Sequence, residues 1–579
     1  MLCKPGGSVY AQNSDADFVR VVLNQKPAVP AQRYRLGHPF EILYGPDDHL
    51  YVSERVGRIL RVNTTTGVRQ VILNHTASTY LTISRNGAGV ATSIGQDGMM
   101  GIALHPNFHL GMGQEYIYVA YTYAPGQLRI SRFTYSPTPT PQLTGETVLV
   151  QGLPANNDHS SGRLIFGADQ QLYYTCGDRG ANQFGNRCQE ILSQKLPSAA
   201  DIAAQTYTRY AGKTLRIAHD GSIPPDNPLF AGVRSHIFSI GHRNAQGMVT
   251  QKNPTNGLSY PVPTPGGKLF NSEHGPRTDD EINVIESGRN YGWPYIAGYL
   301  DNLNYEYVIW ATSSSCASTP YSENTIPAGA MVRQESDSTL TNFQPPLSTL
   351  YTVCTPLPVA VCNAGSINWM RYPTIAPSSI DFYPVQNGMA IPTWYPSLLV
   401  PTLRRGVLYR YKLNATMDGF EADSIPYFRS TNRYRDIALS SDGRRIYLIT
   451  DSIGTTSGPS GNGTSSLADP GAILEFSYVG PTLALGDRPG PRPTQREEQI
   501  RVYPNPAAHM LQVEIGADVF HRYATYSLAD INGRVVREGR TEQASFRIGL
   551  EGLPSGLYLY RQYNALGLET LSKKIIIRH

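Results

Sequence analysis

One local pattern recurs along most of the chain and constrains its fold: a turn with Asp or Gly, an apolar and aromatic strand, then polar residues. The clearest copies occupy residues 45–55, 167–178, 265–274 and 441–451. Widely spaced copies of one hairpin unit favour the blades of a β-propeller over a sandwich. Equivalent strand ends of a propeller converge near its central channel, so the polar residues should meet there. The pattern predicts a six-bladed β-propeller over residues 20–479.

The composition favours an all-β chain of more than one domain. The 579 residues include 54 Gly, 43 Pro and 37 Tyr, and only 16% are charged. Such a turn-rich and aromatic-rich chain favours short strands over helices. A net charge of +4 without a dense basic run predicts no nucleic-acid partner. No stretch is apolar for long enough to span a bilayer.

The two ends of the chain differ from its centre. Residues 480–499 carry several prolines among Gly, Arg and Thr, which predicts an extended linker. Alternating strands resume over residues 500–579 and predict a separate small β-sandwich. Residues 1–19 include Val9 to Gln12, which is typical of the end of a signal peptide. Its charged and long apolar parts are absent, so we interpret this segment as a remnant.

The C-terminal part resembles the sorting domain of the type IX secretion system of Bacteroidota. The matching pieces are residues 502–506, 530–536, 553–558 and 573–578. The resemblance implies that the type IX secretion machinery is a partner and exports the protein across the outer membrane. Release or attachment to the cell surface would follow. An ordinary accessory sandwich is the alternative.

The chain has six cysteines, at positions 3, 176, 188, 316, 354 and 362. No pair has the close spacing of a zinc site. In an oxidising compartment Cys176 with Cys188, and Cys354 with Cys362, could each close a short loop. Unpaired buried thiols are the alternative for either pair, and the state of Cys316 is left open.

The pair Asp158 and His159 lies in a loop before the predicted strand at residues 163–166. A His beside a carboxylate is suited to accepting a proton, because its pKa lies near working pH. A simple turn residue is the alternative. The glycine-flanked loop at residues 95–101, which carries Gln96, has the same ambiguity.

Two arginine motifs suggest anion binding. Arg243 and Asn244 stand between glycines and place a fixed cation beside an amide, which suits an oxyanion or a polarised carbonyl. Arg433 and Arg435 are two residues apart, so a strand would present both on one face. Two adjacent cations there need a polyanion such as a multi-carboxylate or phosphate ligand. A surface salt bridge and a solvated edge strand are the respective alternatives.

Residues 275–301 are rich in hard oxygen ligands. Gly275 and Pro276 expose turn carbonyls, and the carboxylates of residues 279–281 and Asp301 lie close in sequence. Backbone and carboxylate oxygens on irregular loops are typical of calcium sites. The sequence therefore predicts Ca²⁺ binding in this segment, without the helix-loop-helix motif.

Together these motifs resemble the soluble PQQ-dependent glucose (aldose sugar) dehydrogenase family, a six-bladed propeller. The likeness covers most of residues 35–478. The matching motifs, in the expected order, are residues 158–164, 220–224, 241–247, 279–283, 290–294, 373–379 and 432–436.

The resemblance implies a role for each matching position. His159 would be the general base on the sugar C1 hydroxyl, and Arg243 would polarise the quinone carbonyl that accepts the hydride. The other implied sugar-binding residues are Gln96, Asp158, Arg243, Trp369 and Tyr372. The implied PQQ-binding residues are Asn244, Thr374, Arg404, Arg433 and Arg435. The implied calcium ligands are Gly275, Pro276, Glu281, Tyr291, Ala297, Tyr299, Asp301 and Glu335.

Three departures from the family concern the cofactor and sugar contacts. Arg404 replaces a lysine, His274 replaces a glutamine, and residues 369–372 change the order of the aromatic residues beside the sugar. The resemblance predicts an exported sugar dehydrogenase with a homodimer as one option and an electron acceptor that the sequence does not identify. A non-redox, calcium-dependent carbohydrate-binding propeller and a propeller lactonase are the alternatives.

Overall fold

The computed structural model divides the chain into two compact units, residues 1–483 and 484–579. It describes residues 15–87, 91–252, 267–276, 278–302, 305–322, 325–350, 374–384, 391–454, 466–480, 500–515, 523–530, 534–564 and 569–579. The predicted sugar contacts Trp369 and Tyr372 and the predicted pair Cys354 and Cys362 lie outside the described residues.

The first unit begins with strand β1 (Phe18–Val22), which joins the last sheet of this unit. The first sheet consists of β2 (Pro39–Tyr44), β3 (His49–Glu54), β4 (Arg58–Asn63) and β5 (Arg69–Asn74). A ribbon of β6 (Ile83–Arg85) and β7 (Ala91–Ile94) follows. The second sheet consists of β8 (Met99–Leu104), β9 (Tyr116–Ala124), β10 (Gln127–Ser136) and β11 (Gln142–Pro154).

The third and fourth sheets each contain a short inserted ribbon. The third sheet has β12 (Ser161–Phe166), β13 (Leu172–Cys176) and β14 (Lys213–Ile217), then the ribbon β15 (Leu229–Phe230) and β16 (Val233–Arg234), and finally β17 (Ile237–Ile240). The fourth has β18 (Ala245–Thr250), β19 (Leu269–Glu273) and β20 (Asp280–Ile285), the ribbon β21 (Tyr307–Ile309) and β22 (Met331–Arg333), and β23 (Ser348–Leu350).

The last two sheets complete the first unit. The fifth consists of β24 (Asp381–Tyr383), β25 (Ser397–Pro401), β26 (Leu408–Lys412) and β27 (Ile425–Tyr427). The sixth consists of β28 (Tyr434–Leu439), β29 (Arg445–Thr450), β30 (Ile473–Tyr478) and β1. Over the described ranges, the first unit therefore contains six four-stranded antiparallel sheets.

The first strands of these sheets form a closed ring. Strand β2 contacts β8, β8 contacts β12, β12 contacts β18, β18 contacts β24, β24 contacts β28, and β28 contacts β2. Strand β1 pairs with β30 from the other end of this unit, which ties the ring shut. Sheets arranged radially around one axis form a β-propeller. The all-β prediction is confirmed.

The repeated turns have a common physical basis. In two sheets an Asp in the turn before the second strand accepts a hydrogen bond from a Tyr hydroxyl on that strand, at 3.0 Å in both the Asp47–Tyr51 and Asp169–Tyr173 pairs. An arginine on the third strand binds the same carboxylate: Arg61 binds Asp47, and Arg216 binds Asp169, both at 2.7 Å. A carboxylate thus joins turn, second strand and third strand.

Helices are few and short in the described segments. Helix α1 (Ala199–Ala203) has a capping box between Ser198 and Asp201. The 3-10 turns are Asp15–Asp17, Leu23–Gln25, Pro30–Gln32, Phe184–Asn186, Thr208–Tyr210, Trp310–Thr312 and Glu335–Asp337. Among the described helices, none has the length and apolarity to cross a membrane.

Of the two alternatives for Cys176, the pairing with Cys188 is wrong and the unpaired buried thiol is confirmed. Cys176 lies on β13, where its buried thiol belongs to the apolar core and is unpaired. Cys188 lies on a loop and forms a disulfide with Cys316, 128 residues away in sequence. The direction of the Cys176 side chain on its strand, into the core, excludes the shorter pairing.

The second unit consists of strands only in its described part. Strands β31 (Ile500–Tyr503), β32 (Met510–Ile515) and β35 (Ser545–Gly549) form one sheet. Strands β33 (Tyr523–Asp530), β34 (Val535–Arg540), β36 (Gly556–Asn564) and β37 (Glu569–Ile577) form another. Residues of both sheets, including Leu511, Leu528 and Tyr560, share one apolar core.

Candidate active site

The topology of the first unit brings polar residues to one edge of its ring. Because neighbouring strands of each sheet are antiparallel, the start of a first strand and the end of the second strand lie at the same edge. Gln96, His159, Arg243 and Arg433 lie just before β8, β12, β18 and β28. A cavity of about 340 Å³ opens among them.

Most of the predicted site residues line this cavity. They are Gln96, Asp158, His159, Arg243, Gly275, Pro276, Thr374, Arg404, Arg433 and Arg435. Asn244 lies behind the wall, where its Oδ1 accepts a hydrogen bond from Gln246 Nε2 at 2.9 Å. It is fully buried, so it positions Gln246, which itself lines the cavity.

Four further polar residues of the site received no role from the sequence. Arg55, His274 and Asp451 line the cavity, and Asp178 lies directly behind His159. Each follows the second strand of its sheet by one or two residues, after β3, β19, β29 and β13. The recurring pattern of polar strand ends was the signal that could have identified them.

The ring of His159 is oriented by its neighbour Asp178. Its Nδ1 lies 2.8 Å from Asp178 Oδ1. The same carboxylate accepts hydrogen bonds from Trp293 Nε1 and from Gly180 N, both at 2.9 Å. A carboxylate accepts only, so Nδ1 carries the proton and Nε2 keeps its lone pair toward the cavity. A Cβ on Gly177 would meet His159 O at 1.9 Å, so only glycine permits this approach.

Gln183 joins three of the predicted site residues. Its Nε2 donates to Asp158 Oδ2 at 2.8 Å and lies 3.1 Å from His159 Nε2. Its Oε1 accepts from Arg243 Nη2 at 3.3 Å. Gln96 Nε2 donates to the other oxygen of Asp158 at 2.8 Å. Asp158 is therefore held from two sides, and the base and the cation are fixed through one amide.

Arg243 has a donor left for a ligand. Its Nη1 donates to His274 O at 3.2 Å, and its guanidinium lies over the Trp293 ring at 5.3 Å. Its backbone N–H donates to Glu273. The buried Nε has no hydrogen-bond partner among the described residues. An unpaired buried donor is unfavourable, so the site fits a ligand with an acceptor oxygen.

The arginine side of the cavity carries excess positive charge. Arg433 Nε and Arg435 Nε each bind Asp451 at 2.8 Å. Burial alone would raise the pKa of Asp451, but Arg435 and Arg433 outweigh it and hold the pKa well below its usual range. The arginine pair thus already has one carboxylate partner, and a third cation, Arg55, lies on the same wall.

Arg404 and His274, two residues that depart from the family pattern, each form a hydrogen bond at the cavity. Arg404 Nη1 donates to Thr374 Oγ1 at 2.6 Å, and burial and Arg405 lower its pKa to about 10. His274 Nε2 lies 2.9 Å from Pro377 O. Burial, then Arg243, holds the pKa of His274 well below its usual value, so the neutral ring donates to that carbonyl. His274 anchors the segment that carries Thr374.

The predicted calcium ligands come together only in part. Glu335 accepts from Ala297 N at 2.9 Å, and Glu281 accepts from Gly298 N at 2.8 Å. The hydroxyls of Tyr291 and Tyr299 donate elsewhere, to Val284 O at 2.5 Å and Leu347 O at 3.5 Å. Asp301 N also donates to Glu335, at 3.3 Å.

The charge of this region fits a cation although its side chains do not converge. Burial, then Glu273, raises the pKa of Glu281 well above its usual value. Two neighbouring buried carboxylates would be stabilised by a divalent ion. Over the described residues, no group of three or more His, Cys, Asp or Glu side chains converges on one metal position. Backbone oxygens, including those of Gly275 and Pro276 at the cavity, would have to complete any calcium site.

Comparison with known proteins gives two matches for two parts of the chain. The Glucose / Sorbosone dehydrogenase family matches residues 36–339, and the Secretion system C-terminal sorting domain matches residues 501–578. Quinoprotein glucose dehydrogenase B of Acinetobacter calcoaceticus is 39% identical over 456 residues, which are 76% of this chain and 89% of that protein.

More distant relatives agree with this assignment. Aldose sugar dehydrogenase YliI of Escherichia coli is 26% identical and aligns with 45% of this chain and 60% of its own. A crystal structure of a glucose dehydrogenase covers 80% of this chain and 100% of its own, at 21% identity and a TM-score of 0.51, which supports the fold alone. This chain belongs to the glucose/sorbosone dehydrogenase family.

Proposed function

We propose that this protein is an exported quinoprotein dehydrogenase that oxidises the C1 hydroxyl of an aldose sugar to the lactone. One observation carries the proposal. A single cavity combines a histidine held through Nδ1 by a carboxylate and through Nε2 by Gln183, a polarising arginine, and an arginine side with more positive than negative charge. The similarity to a quinoprotein glucose dehydrogenase supports the same chemistry.

The residues of the chain divide the reaction between them. Gln96 and Asp158 hold the sugar, and His159 Nε2 accepts the proton of its C1 hydroxyl. Asp178 then stabilises the charged imidazole through Nδ1. PQQ, when bound, supplies the acceptor for the hydride that leaves C1. Arg243 places positive charge where negative charge develops on that acceptor.

The cavity fits PQQ, a tricarboxylate, by charge and by hydrogen bonding. Arg433 and Arg435 would hold its carboxylates, and Arg404 and Thr374, which line the same cavity, would also contact the cofactor. The unpaired Arg243 Nε is available to an acceptor oxygen. The carbonyls of Gly275 and Pro276 would hold the Ca²⁺ that we propose at the cofactor.

We further propose the domain boundaries stated above, with residues 20–479 as six blades and residues 500–579 as a β-sandwich. The closed order of six first strands supports the blade number, and the shared core of the last two sheets supports the sandwich. The match to a secretion sorting domain supports export and surface attachment or release. A homodimer stays a prediction, as does an external electron acceptor.

The test is reconstitution of the purified full-length protein with PQQ and Ca²⁺. We expect reduction of an artificial dye with one or more members of an aldose panel. A carbohydrate-binding propeller would bind a sugar without reducing the dye, and a lactonase would hydrolyse a lactone without PQQ. Absence of quinone absorbance together with absence of turnover on every sugar would refute the proposed function.

His159→Ala separates the base from the cofactor site. We expect loss of turnover by about a thousandfold, because general-base catalysis contributes up to ~10⁴-fold. PQQ should remain bound, since the arginine side is unchanged. Measurement of kcat and of the PQQ dissociation constant checks both parts. Turnover near the original rate would mean that the base is misassigned.

A further inference from the structure

We propose that Arg55 is an anion-binding residue of this cavity, one that holds a carboxylate of the bound cofactor together with Arg433 and Arg435. The inference rests on the proposed function, because it assigns an anionic partner to a cation that forms no ion pair among the described residues. Arg55 follows β3 directly, at one of the recurring polar strand ends, and its side chain lines the cavity.

The position of Arg55 is fixed by neutral groups. Its Nη1 donates to Gly95 O at 2.7 Å, and its guanidinium lies over the Phe40 ring at 5.1 Å. Its backbone N–H donates to His38 O at 2.9 Å. The residue is only 5% exposed. These contacts orient the guanidinium group of Arg55, but they do not neutralise its charge.

No carboxylate of the described residues forms an ion pair with Arg55. Asp451 is engaged by Arg433 and Arg435. Asp97 accepts hydrogen bonds from Thr82 N at 3.0 Å and from Thr82 Oγ1 at 2.6 Å. Arg433 and Arg435 therefore take the ion pairs of Asp451, and Arg55 lies near this carboxylate and Asp97 without an ion pair to either. Burial, then Arg435, lowers the pKa of Arg55 to about 9, and the nearby carboxylates of Asp451 and Asp97 oppose this only in part.

A second buried arginine, Arg163, also lies over the aromatic ring of Phe40 and can be compared with Arg55. Arg163 lies over Phe40 at 5.2 Å, but it binds Glu41 at 3.0 Å and Asp436 at 2.9 Å. The charge of Arg163 is thus neutralised by two carboxylates. The charge of Arg55, on the same aromatic ring, has no ion pair among the described residues. A buried charge without a partner is strongly unfavourable, and a bidentate carboxylate satisfies a guanidinium best. The carboxylate that Arg55 lacks is expected to come from the ligand.

The test is Arg55→Gln in the full-length protein, with the PQQ dissociation constant measured by titration of the quinone absorbance. We expect binding to weaken about tenfold to hundredfold, the loss of one charge-assisted pair. We also expect the thermal midpoint of the apoprotein to rise, because an unneutralised buried charge is removed. Arg55→Lys, which keeps the charge but loses the fork, should weaken binding by an intermediate factor.

Arg61→Gln is the matched control, because Arg61 lies in the same hairpin and pairs with Asp47 at 2.7 Å. It should lower the thermal midpoint and leave PQQ affinity unchanged. If Arg55→Gln binds PQQ within twofold of the original protein, or if both variants lower the midpoint alike, the inference is refuted. Failure of the unsubstituted protein to bind PQQ would instead refute the proposed function and the inference with it.

Discussion

The two sides of the candidate active-site cavity differ in how many of their polar groups have protein partners. On the base side, His159, Asp178 and Gln183 form a network in which the ring nitrogens and the carboxylate all have protein partners. On the arginine side, the guanidinium groups outnumber the one carboxylate they share. The contacts of His159 are therefore complete within the chain, whereas the arginine side carries excess positive charge that the proposed anionic cofactor would balance.

This contrast makes Asp178→Asn the substitution with the largest expected effect among those that keep His159. An amide can donate to Nδ1, which favours the tautomer with its proton on Nε2, so the lone pair toward the sugar is lost. We expect kcat to fall about a hundredfold or more, with an unchanged PQQ dissociation constant. The rate should be measured against pH at saturating PQQ.

The control for that experiment is Asn156→Ala, on the loop that carries His159. Asn156 donates to Arg179 O at 2.9 Å and does not touch the His159 ring. We expect its kcat to stay within a few-fold of the original. Equal rates for Asp178→Asn and the original protein would show that the orientation of His159 does not depend on this carboxylate, and the comparison of the two sides would fail.

The arginine side is tested by Asp451→Asn, which removes the carboxylate that Arg433 and Arg435 share. Because breaking a buried pair leaves uncompensated charge, we expect the apoprotein to lose about 3–5 kcal/mol of unfolding free energy. PQQ should recover part of this loss by supplying carboxylates to the same arginines. Urea unfolding at pH 7, with and without PQQ, measures both. A deficit that PQQ leaves unchanged would argue against an anion at this position.

The pH dependence of stability has a defined sign for the same residue. Arg435 and Arg433 outweigh burial and depress the pKa of Asp451 in the folded state. Its contribution is therefore fully present above the unfolded-state pKa of about 3.9 and is lost as pH falls through the folded value. We expect the apoprotein to lose stability on acidification more steeply than Asp451→Asn. Parallel curves from pH 6 downward would contradict this.

The sequence predicts the arginine side better than the base side. Arg433 and Arg435 are two residues apart at the start of β28, so the alternation of an extended chain alone predicts that they lie together. The polar ends at Arg55 and Asp451 follow a visible repeat, which predicts convergence but no role. Gln183 could not be found in this way, because it lies on a loop without regular periodicity, and its contacts depend on residues distant in sequence.

The calcium prediction shows the same limit. The segment around Ala297 was identified by its oxygen-rich composition, and the structure brings Glu281 and Glu335 to its backbone. Local sequence does not determine which oxygens then face one point, because the hydroxyls of Tyr291 and Tyr299 find carbonyl partners elsewhere. Composition thus predicts the segment, and packing decides the ligand set.

Removal of the disulfide between Cys188 and Cys316 is expected to have the smallest effect on catalysis. It tests whether this bond holds the loop that carries Gln183 in place. Arg187, beside Cys188, donates to Cys316 O at 3.1 Å and to Ala317 O at 2.7 Å, so the loop keeps other contacts when the bond is absent. We expect the double Ser variant to lose about 2–4 kcal/mol of unfolding free energy, since the bond closes a long loop.

Its effect on catalysis should fall on one side of the cavity only. A looser Gln183 would hold Asp158 less well and raise the KM for the sugar about threefold, whereas Arg433 and Arg435 are held by Asp451, which is not part of this loop. The PQQ dissociation constant should therefore stay constant as KM rises. If the variant weakens PQQ binding by the same factor as it raises KM, the two sides are coupled through the loop, and the base side is less independent than its contacts indicate.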